Sequence, residues 1–404
     1  MQLLMIGFDQ TMLAEGESKP SDTRERHIKY AKALRTHYPN GNIVVILRVP
    51  PSWSSQHIRI GEGLTVIPVP SRRSTFMVRA LIILRELLRR QSFDLVTTQN
   101  PFDDGFIGVW LKRKFGVRLN VQMRSSFLDL PYWIRERPFV YRVFNMLGKW
   151  VARRADTIRV VSNGEKQRLE QGFKELTGKI TCLHPLVNTQ VFNNPIQEEE
   201  LEQVTKMLLD RGLNSAPFLL FVGRCVIEKN LPVLLNAFAM VNRDMPESAL
   251  VIAGDGPLRA ELGRLAERVR IEDRVVWLGN LPLQSLRAWY ASARVTVLPS
   301  LHEGFGKVIV ESFLMGTPVI ATPFVSAREL IGDGQSGFVA PGFDNDKWFA
   351  DTALALLRDA DSAREMGQRG REHVLKYLLP EDTYLKRLVE IWRQTATGER
   401  LVNV

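Results

Sequence analysis

The sequence contains few cysteines and lacks a long apolar run. Of its 404 residues only Cys182 and Cys225 are cysteines, too few for a disulfide framework and without the spacing of a metal-binding motif. This usage is typical of a reducing compartment, so we expect a cytoplasmic protein. The apolar runs fall short of the roughly 20 residues that cross a membrane. The opening MQLLMIG is too short and uncharged for a signal peptide and predicts a first β-strand.

Positive charge is concentrated in the first half of the chain. Residues 1–194 carry 30 basic and 16 acidic side chains, a net charge of +14, whereas the remainder carries 24 and 28, a net charge of −4. This asymmetry indicates an acidic partner for the first half, which could be nucleic acid, an anionic membrane surface or a phosphorylated substrate. A solvated basic surface without a partner is the alternative.

Short apolar runs alternate with amphipathic helices, which is typical of parallel sheets covered on both faces. A helix is predicted over 75–90 and another over 381–395. The strands predicted in the first half lie at 2–7, 42–49, 64–69, 93–99, 118–123 and 157–162. The strands predicted in the second half lie at 218–223, 249–254, 274–279, 294–300, 317–322 and 337–341.

A polar, acidic stretch at 193–216 separates the two sets of strands and is interpreted as a linker that contains a helix. We therefore predict an α/β protein with two doubly wound, Rossmann-like domains that face each other across a cleft. The first spans 1–192 and the second spans 217–380. The helix in the final segment, about 381–404, has one apolar face, and we expect it to pack back on the first domain.

The stretch PSLHEGFGKVIVES, residues 299–312, places a glycine turn between a strand and a helix. Gly304 and Gly306 let the backbone approach a ligand closely. The helix that begins near Gly306 presents free N–H groups, which favour an anion. Glu303 before the turn and Glu311 within the helix are good acceptors for sugar hydroxyls. A ligand with central phosphates and a polyol at each end, such as a nucleotide sugar, would satisfy each part.

A second loop could contribute to the same site. The stretch FVGRCVIEKN, residues 221–230, carries Arg224 and Lys229 at a strand–loop–helix junction, where both cations could reach a diphosphate. Taken alone, each cation is more typical of a surface position. A Gly-Asp-Gly-Pro turn at 254–257 could equally be the start of a helix.

These motifs resemble those of a known family. The run GRxxxxKN, AGDGP, WLGN and PSLHEGFGKVIVESFLMGTPVIAT resembles the second domain of glycosyltransferase family 4, which has the GT-B fold. The resemblance is dense from 218 to 342 and continues more weakly at 155–169 and 183–192. It implies a retaining, metal-independent, hexosyltransferase-like enzyme that transfers a sugar from a nucleotide-sugar donor.

The resemblance also assigns roles to residues. Glu303 is implied to contact hydroxyls of the transferred sugar, and Glu311 to hold the nucleotide ribose. Arg224 and Lys229 are implied to neutralise the diphosphate, and Leu281 falls where the base-binding loop lies. The full set implied for the donor is Gly223, Arg224, Lys229, Gly254, Leu281, Glu303, Gly304, Phe305, Gly306, Lys307, Val308 and Glu311. The residues expected to take part in catalysis are Glu303, Arg224, Lys229 and Arg124.

The first half departs from the family pattern at two places. Members often carry a Gly-Gly pair after the first strand, whereas the loop at 7–27 is long and polar, with only Gly16 beyond the strand. Many also have a histidine after the strand at 118–123, where this chain has Arg124. Arginine could bind phosphate but cannot act as a general base. A non-catalytic nucleotide-sugar-binding protein that keeps the donor fold is therefore the alternative function, and a GT-B epimerase or phosphorylase is a third.

The basic first half suggests where the acceptor is found. Residues 131–154 mix Tyr, Trp and Phe with Arg and Lys, as interfacial segments do, although buried aromatics with solvated cations are the alternative. We expect a glycan or lipid-linked acceptor, a function in bacterial cell-surface polysaccharide or glycolipid synthesis, and peripheral contact with the inner face of the cytoplasmic membrane. Trp133 and Trp150 would add a salt-resistant part to this contact if they insert at the headgroup level. Nucleic acid is not expected as a partner, because no recognised binding module appears.

Metal ligands are scarce. The six histidines are scattered without ligand spacing. The Asp-Asn-Asp triplet at 344–346 mimics the metal-binding DxD motif of other glycosyltransferases, but it precedes a helix and is expected to cap it. We therefore expect no metal cofactor, with the nucleotide sugar as a co-substrate.

Overall fold

The computed structural model describes residues 1–7, 9–13, 22–53, 56–213, 216–332 and 334–401. The chain divides into two compact units. Unit 1 comprises Met1–Leu130, Arg137–His184 and Leu379–Val404, and unit 2 comprises Pro131–Glu136 and Pro185–Leu378. The predicted first domain, 1–192, thus extends beyond unit 1 at its end and includes a short segment that belongs to unit 2. Gly16 and most of the polar loop around it lie outside the described residues.

The strands of unit 1 are β1 (Gln2–Gly7), β2 (Asn42–Val49), β3 (Ile58–Gly61), β4 (Leu64–Pro70), β5 (Leu95–Thr98), β6 (Arg118–Met123), β7 (Thr157–Val160) and β8 (Ile180–Cys182). The strands of unit 2 are β9 (Phe218–Val222), β10 (Ala249–Ala253), β11 (Val275–Gly279), β12 (Val295–Leu298), β13 (Val319–Ala321) and β14 (Gly337–Val339). Every strand predicted from the sequence is present, with ends that differ by up to two residues.

The first eight helices are α1 (Asp22–His37), α2 (Arg73–Arg90), α3 (Asp103–Phe115), α4 (Pro131–Glu136), α5 (Pro138–Arg154), α6 (Asn163–Gly172), α7 (Thr189–Asn193) and α8 (Glu198–Leu209). The others are α9 (Leu231–Asp244), α10 (Arg259–Arg268), α11 (Leu283–Ser292), α12 (Lys307–Leu314), α13 (Ala327–Leu330), α14 (Asp346–Arg358), α15 (Ala360–Leu375) and α16 (Glu381–Thr397). Among the described helices none is long and apolar enough to cross a membrane.

The sheet of unit 1 has the order β3-β4-β2-β1-β5-β6-β7-β8. All neighbours are parallel except β3 and β4, which form an antiparallel pair at one edge. The strands predicted from the sequence thus pair in parallel, and β3, which was not predicted, adds an antiparallel edge. Gly63 follows β3 with a φ of 76°, which allows the tight reversal. The sequence analysis missed β3 and β8 because four and three residues are too few to show a period.

Helices cover both faces of this sheet. Phe76 of α2, Ile107 of α3 and Val151 of α5 are fully buried in the core on one face. On the other face α16 packs against α1, β5 and β6, so the final helix belongs to unit 1. Leu388 and Trp392 of α16 are completely buried, as the apolar face of the predicted helix requires.

Unit 2 contains an all-parallel sheet with the order β11-β10-β9-β12-β13-β14. Helices α9 and α14 pack together, as do α12 and α15, and α8 packs against α11. The chain moves outward in one direction from β9 and in the other direction from β12. The two central strands therefore form a topological switch point, where doubly wound sheets bind ligands.

The segment 131–154 does not form the surface that we expected from its tryptophans. Trp133, in α4, is only 5% exposed. The ring of Trp150 stacks on Phe106 with centroids 5.7 Å apart, and the Arg154 guanidinium lies 4.3 Å from the indole centroid. The condition that both rings insert at a headgroup layer is therefore not met by Trp133, and the ring of Trp150 packs against Phe106 and Arg154.

The Asp-Asn-Asp triplet caps a helix. The Asn345 side chain accepts a hydrogen bond of 3.1 Å from the Trp348 amide at the start of α14. Asp346 accepts a bond of 3.0 Å from the side chain of Asn236. Within the described ranges no group of three or more His, Cys, Asp or Glu side chains comes together in a way that could hold a metal ion.

Close backbone packing in unit 2 generates a prediction for two helical glycines. A Cβ on Gly367, in α15, would overlap the carbonyl group of Gly316, whereas a Cβ on Gly263, in α10, would meet only the tip of Arg259 at 3.2 Å. Alanine is favoured over glycine within a helix by about 1 kcal/mol. We expect Gly263→Ala to leave the free energy of unfolding unchanged or to raise it, and Gly367→Ala to lower it by about 1–3 kcal/mol through overpacking. Chemical denaturation measures both, and equal effects of the two substitutions would contradict the observed packing.

Candidate functional site

The candidate site lies at the carboxyl edge of the unit 2 sheet. Because β9 and β12 are neighbours, the loops that follow them lie side by side. The backbone amide of Leu301, after β12, donates a hydrogen bond of 2.9 Å to the carbonyl of Glu228, after β9. The topology therefore brings the two loops that the sequence analysis singled out into one site.

Glycines allow the loops after β9 and β10 to pack closely against each other. A Cβ on Gly254 would overlap the carbonyl of Gly223, and a Cβ on Gly256 would lie 2.5 Å from the carbonyl of Cys225. The amide of Cys225 also donates a bond of 2.9 Å to the carbonyl of Asp255. Gly223 and Gly254 thus allow two backbones to touch, and this contact fixes the loop that carries Arg224.

An ion pair joins the two central loops. Lys229, which ends a 3-10 turn after β9, pairs with the Oε1 atom of Glu303. The hydroxyl of Ser300 donates a bond of 2.9 Å to the same oxygen. The side chains of Lys229 and Glu303 are only 14% and 16% exposed, so solvent screens the pair weakly. Two residues predicted for one site are therefore in direct contact.

Arg224 is placed differently. Its guanidinium is 2.8 Å from a carboxylate oxygen of Glu228, and 71% of the Arg224 side chain is exposed. Exposed ion pairs of this kind contribute about 0–1 kcal/mol, so the arginine can change partners at little cost. Arg224 stands at the rim of the site, where an incoming anion would displace Glu228.

The glycine turn leads directly into α12. Gly306 has a φ of 82°, in the left-handed region, and occupies the N-cap position. Gly304 lies in the bend before it and does not have a positive φ, so conformational freedom is required only at Gly306. Phe305 is buried, and its carbonyl accepts a bond of 3.0 Å from the Ser326 hydroxyl. This bond holds the turn.

The first turn of α12 presents its backbone to the same edge. Lys307 and Val308, the first two residues of the helix, are half-buried. Their N–H groups have no partner within the helix, since the first four amides of any α-helix lack one. Together with the positive end of the helix dipole they favour a bound anion.

Glu311 lies one turn further along α12. Its Oε2 atom accepts a hydrogen bond of 2.9 Å from the hydroxyl of Tyr290. Burial raises the pKa of Glu311, and the opposing effects of the Tyr290 bond and of Lys307 do not offset it. The Tyr290 ring packs edge-on against Phe192, with centroids 6.4 Å apart.

Leu281 is half-buried in the short segment between β11 and α11. Gly279, which precedes that segment, forms an isolated bridge with Gly254. The segment is thereby tied to the loops that carry the other donor-site residues.

Arg124 belongs to unit 1 and is therefore not among the side chains that unit 2 brings together. It follows β6, where burial and the neighbouring Arg26 guanidinium lower the pKa of Arg124 to about 10. At neutral pH it is a cation, and a proton-accepting role is excluded. The nearby imidazole of His27 is buried, which lowers its pKa to about 4 and leaves it neutral.

Sequence reasoning missed Ser300, Glu228 and Tyr290. Ser300 and Glu228 stood inside the quoted motifs, and each contacts a predicted site residue three or four positions away in its own loop. Tyr290 is separated from Glu311 by 21 positions, and nothing in the local pattern of α11 marks it.

Two family models match the chain. The model described as glycosyl transferases group 1 matches residues 211–373. The model described as glycosyl transferase 4-like domain matches residues 30–176. The first range lies within unit 2 and contains the whole candidate site, and the second lies mainly in unit 1.

Named proteins resemble the chain over most of its length. The alpha-D-kanosaminyltransferase of Streptomyces kanamyceticus is 27% identical over 350 residues, 80% of this chain and 88% of that protein. The alpha-monoglucosyldiacylglycerol synthase of Streptococcus pneumoniae is 25% identical over 347 residues, 82% of this chain and 74% of that protein. The solved structure of sucrose-phosphate synthase from Thermosynechococcus elongatus has a TM-score of 0.78 at 21% identity, and covers 98% of this chain and 100% of its own.

The buried carboxyl of Glu311 generates a prediction about pH. The pKa of Glu311 is higher in the folded chain than its ordinary value of 4.5. The protonated carboxyl therefore stabilises the fold below about pH 4.5, and this contribution to the free energy of unfolding is lost as pH rises through the folded-state pKa. A glutamine at this position cannot ionise and can still accept the Tyr290 bond. We therefore expect Glu311→Gln to raise the melting temperature at neutral pH, with an advantage that disappears as pH falls.

Thermal melts over about pH 4–8 measure this difference. Glu199→Gln, at an exposed position of α8, is the matched control and should show no pH-dependent gain. A Glu311→Gln variant that is no more stable than the parent at neutral pH would contradict the assignment.

Proposed function

Because the chain belongs to the glycosyl transferases group 1 family, we propose that it transfers a sugar from a nucleotide-sugar donor to a glycan or lipid-linked acceptor. The predicted family, the GT-B fold class and the assignment as a glycosyltransferase enzyme are confirmed by the two family models and by the structural likeness. We further propose that the transfer retains the anomeric configuration, needs no metal and serves cell-surface polysaccharide or glycolipid synthesis. The name of the pneumococcal relative, a diacylglycerol glycolipid synthase, supports a lipid-linked acceptor.

The ion pair between Lys229 and Glu303 carries the proposal. A nucleotide sugar presents a diphosphate beside a polyol, and this pair presents an ammonium beside a carboxylate. When the diphosphate binds, Lys229 turns to phosphate oxygens and Glu303 accepts hydroxyl groups of the sugar. Each charge therefore has a partner both with and without the donor, and neither is left buried and unpaired.

The remaining donor contacts follow from the same edge of the sheet. The amides of Phe305, Gly306 and the first turn of α12 face the phosphates, and Arg224 joins them from the rim. Glu311, beyond the phosphates, accepts the ribose hydroxyls, and Leu281 adjoins the base. The diphosphate leaves as an anion when the C1–O bond breaks, so preorganised cations and amides stabilise the transition state without a metal ion.

The proposed retention has a physical basis in Glu303. With the donor bound, its carboxylate accepts hydrogen bonds from hydroxyls of the sugar and from the hydroxyl of Ser300, which makes it a weak nucleophile. We therefore propose that the acceptor hydroxyl attacks from the same face that the diphosphate leaves, and that a phosphate oxygen takes the proton.

Glu303 provides the test that separates an enzyme from a donor-binding protein without turnover. We expect Glu303→Gln to reduce transfer by at least about 100-fold, because an interaction with the reacting sugar is weakened in the transition state. Nucleoside diphosphate affinity should stay within about threefold, since the phosphates contact other groups. Release of nucleoside diphosphate from a panel of nucleotide sugars, followed by mass spectrometry, measures the first quantity, and calorimetry measures the second.

Glu247→Gln, at an exposed position before β10, is the control and should keep the parent rate. Absence of turnover by the parent chain with every donor, despite tight binding of one of them, would favour the non-catalytic alternative. Full activity in Glu303→Gln would refute the role of this carboxylate.

We also propose peripheral contact with an anionic membrane through α5. Phe139, Val143 and Met146 are spaced at i, i+4 and i+7 on this helix and are 85%, 63% and 72% exposed. The exposed cations Arg137 and Arg142 flank this apolar stripe. An exposed apolar stripe bordered by arginines is typical of helices that lie in a membrane interface. The proposed membrane contact therefore rests on this stripe and not on Trp133 and Trp150.

Co-sedimentation with vesicles of graded phosphatidylserine content tests this surface. Each nearby Lys or Arg adds about 1 kcal/mol at an anionic surface, so binding should fall as salt rises. We expect the double substitution Val143→Glu with Met146→Glu to abolish binding at low salt. Leu209→Glu, at an exposed site in unit 2, should bind like the parent. Failure of the parent to bind phosphatidylserine vesicles at low salt would exclude the membrane contact.

A further inference from the structure

A polar layer is buried inside unit 1, between the sheet and the helices α1 and α16. The Asn120 side chain donates a bond of 2.8 Å to the hydroxyl of Thr157, which lies 2.8 Å from the hydroxyl of Thr395 on α16. Gln122 donates a bond of 3.0 Å to Thr97 in the same layer. These side chains are hydrogen-bonded to one another, so the face of the sheet beneath α16 is polar. Two arginines follow at the carboxyl edge of the same face.

The first of these is Arg159, on β7, which is only 4% exposed. Its guanidinium is hydrogen-bonded by Tyr30 of α1 and Tyr384 of α16, whose hydroxyls are 3.1 Å apart. The other two nitrogens, Nε and Nη1, are buried and have no hydrogen-bond partner within the described ranges. Buried polar groups are almost always paired, and a guanidinium that lacks two partners calls for an explanation.

The second is Arg124, which follows β6, the strand next to β7. It is half-buried. The positive charges of Arg26, on α1, and of Arg159 are close enough to Arg124 to lower its pKa. Two cations that repel each other at one buried position are stable together when an anion lies between them.

Asp9, a carboxylate beside Arg26, already has hydrogen-bond partners. Asp9 accepts hydrogen bonds of 2.7 Å from the Thr11 hydroxyl and 2.6 Å from the Thr23 hydroxyl. It faces Arg26 and His27 and therefore offsets part of the charge of Arg26. It makes no hydrogen bond to Arg124 or Arg159, so these two donors are available to a ligand.

We propose that Arg159 and Arg124 bind a phosphoryl group at the carboxyl edge of the unit 1 sheet. A phosphate monoester offers a double negative charge and several acceptor oxygens, which suit two guanidinium groups better than a single carboxylate does. Tyr30 and Tyr384 add one further donor, since one of their two hydroxyls donates to the other. Because the site lies in the unit that does not contain the donor residues, the phosphoryl group belongs to the acceptor, an assignment that rests on the proposed function.

The replacement of the family histidine by Arg124 then has a chemical reason. An arginine at this position cannot accept a proton, but it can hold a phosphorylated acceptor by charge. Tyr384 lies on α16, so the final helix supplies part of the site.

Titration with inorganic phosphate and with glycerol 3-phosphate, followed by phosphorus NMR line width and calorimetry, tests the site without any turnover. We expect saturable binding by the parent chain that Arg124→Gln and Arg159→Gln each weaken by at least about tenfold, the effect of losing one charge-assisted hydrogen bond. Arg118→Gln, which removes an exposed arginine of unit 1, should bind like the parent. Lys229→Ala should keep the part of the phosphate binding that Arg124→Gln and Arg159→Gln weaken, which separates this site from the donor site.

A thermal melt shows whether Arg159 serves only the fold. Since two of its buried nitrogens have no hydrogen-bond partner, Arg159→Gln should melt at or above the parent temperature when no phosphate is present, and should lose the rise that phosphate causes in the parent. A marked fall in melting temperature, or phosphate binding that is the same in every variant, would overturn the proposal.

Further measurements distinguish a soluble phosphorylated acceptor from a lipid headgroup and test whether the site takes part in sugar transfer. Binding of glycerol 3-phosphate in solution points to a soluble phosphorylated acceptor, whereas competition of phosphatidic acid vesicles with phosphate for the parent, but not for Arg124→Gln, points to a lipid headgroup. If the parent chain binds phosphate but transfers no sugar, the phosphate site is supported and the proposed function is refuted. Equal transfer by the parent and Arg124→Gln would remove the acceptor role.

Discussion

The ion pair between Lys229 and Glu303 is the interaction on which the account of unit 2 depends. Both side chains are largely buried, and removing one partner of such a pair typically costs about 3–5 kcal/mol, because the other charge stays unpaired. The pair therefore holds the loops after β9 and β12 in register while no ligand is present. It also keeps an ammonium and a carboxylate at one point of the sheet edge, which are the two charges that a diphosphate and a sugar would need.

The backbone of the same edge makes the pair possible. Since β9 and β12 are central neighbours, their loops are adjacent without any long connection. The contact of Gly254 with Gly223 fixes the first loop, and the left-handed Gly306 turns the second loop into α12. Each position tolerates only glycine, either because a Cβ would overlap a neighbouring carbonyl or because φ is positive. The rigid edge thus presents amides and charges in fixed positions.

Much of this arrangement could be predicted from local patterns. Apolar runs such as NIVVILRV marked the longer strands, and the glycine turn before Lys307 marked the start of α12. Short edge strands such as β3 gave no periodic signal, and burial of Trp133 depends on tertiary packing that composition does not report. Contacts between distant positions, such as Tyr290 with Glu311, become visible only when the sheet order is known.

Calorimetric titration of the parent chain with nucleoside diphosphates and monophosphates tests the central claim most directly. We propose that Lys229, Arg224 and the amides of α12 contact the second phosphate, so the preferred diphosphate should bind at least about tenfold more tightly than its monophosphate. Lys229→Met should remove most of that difference. Equal affinity for the two nucleotides, or no binding of any nucleoside diphosphate, would contradict the account.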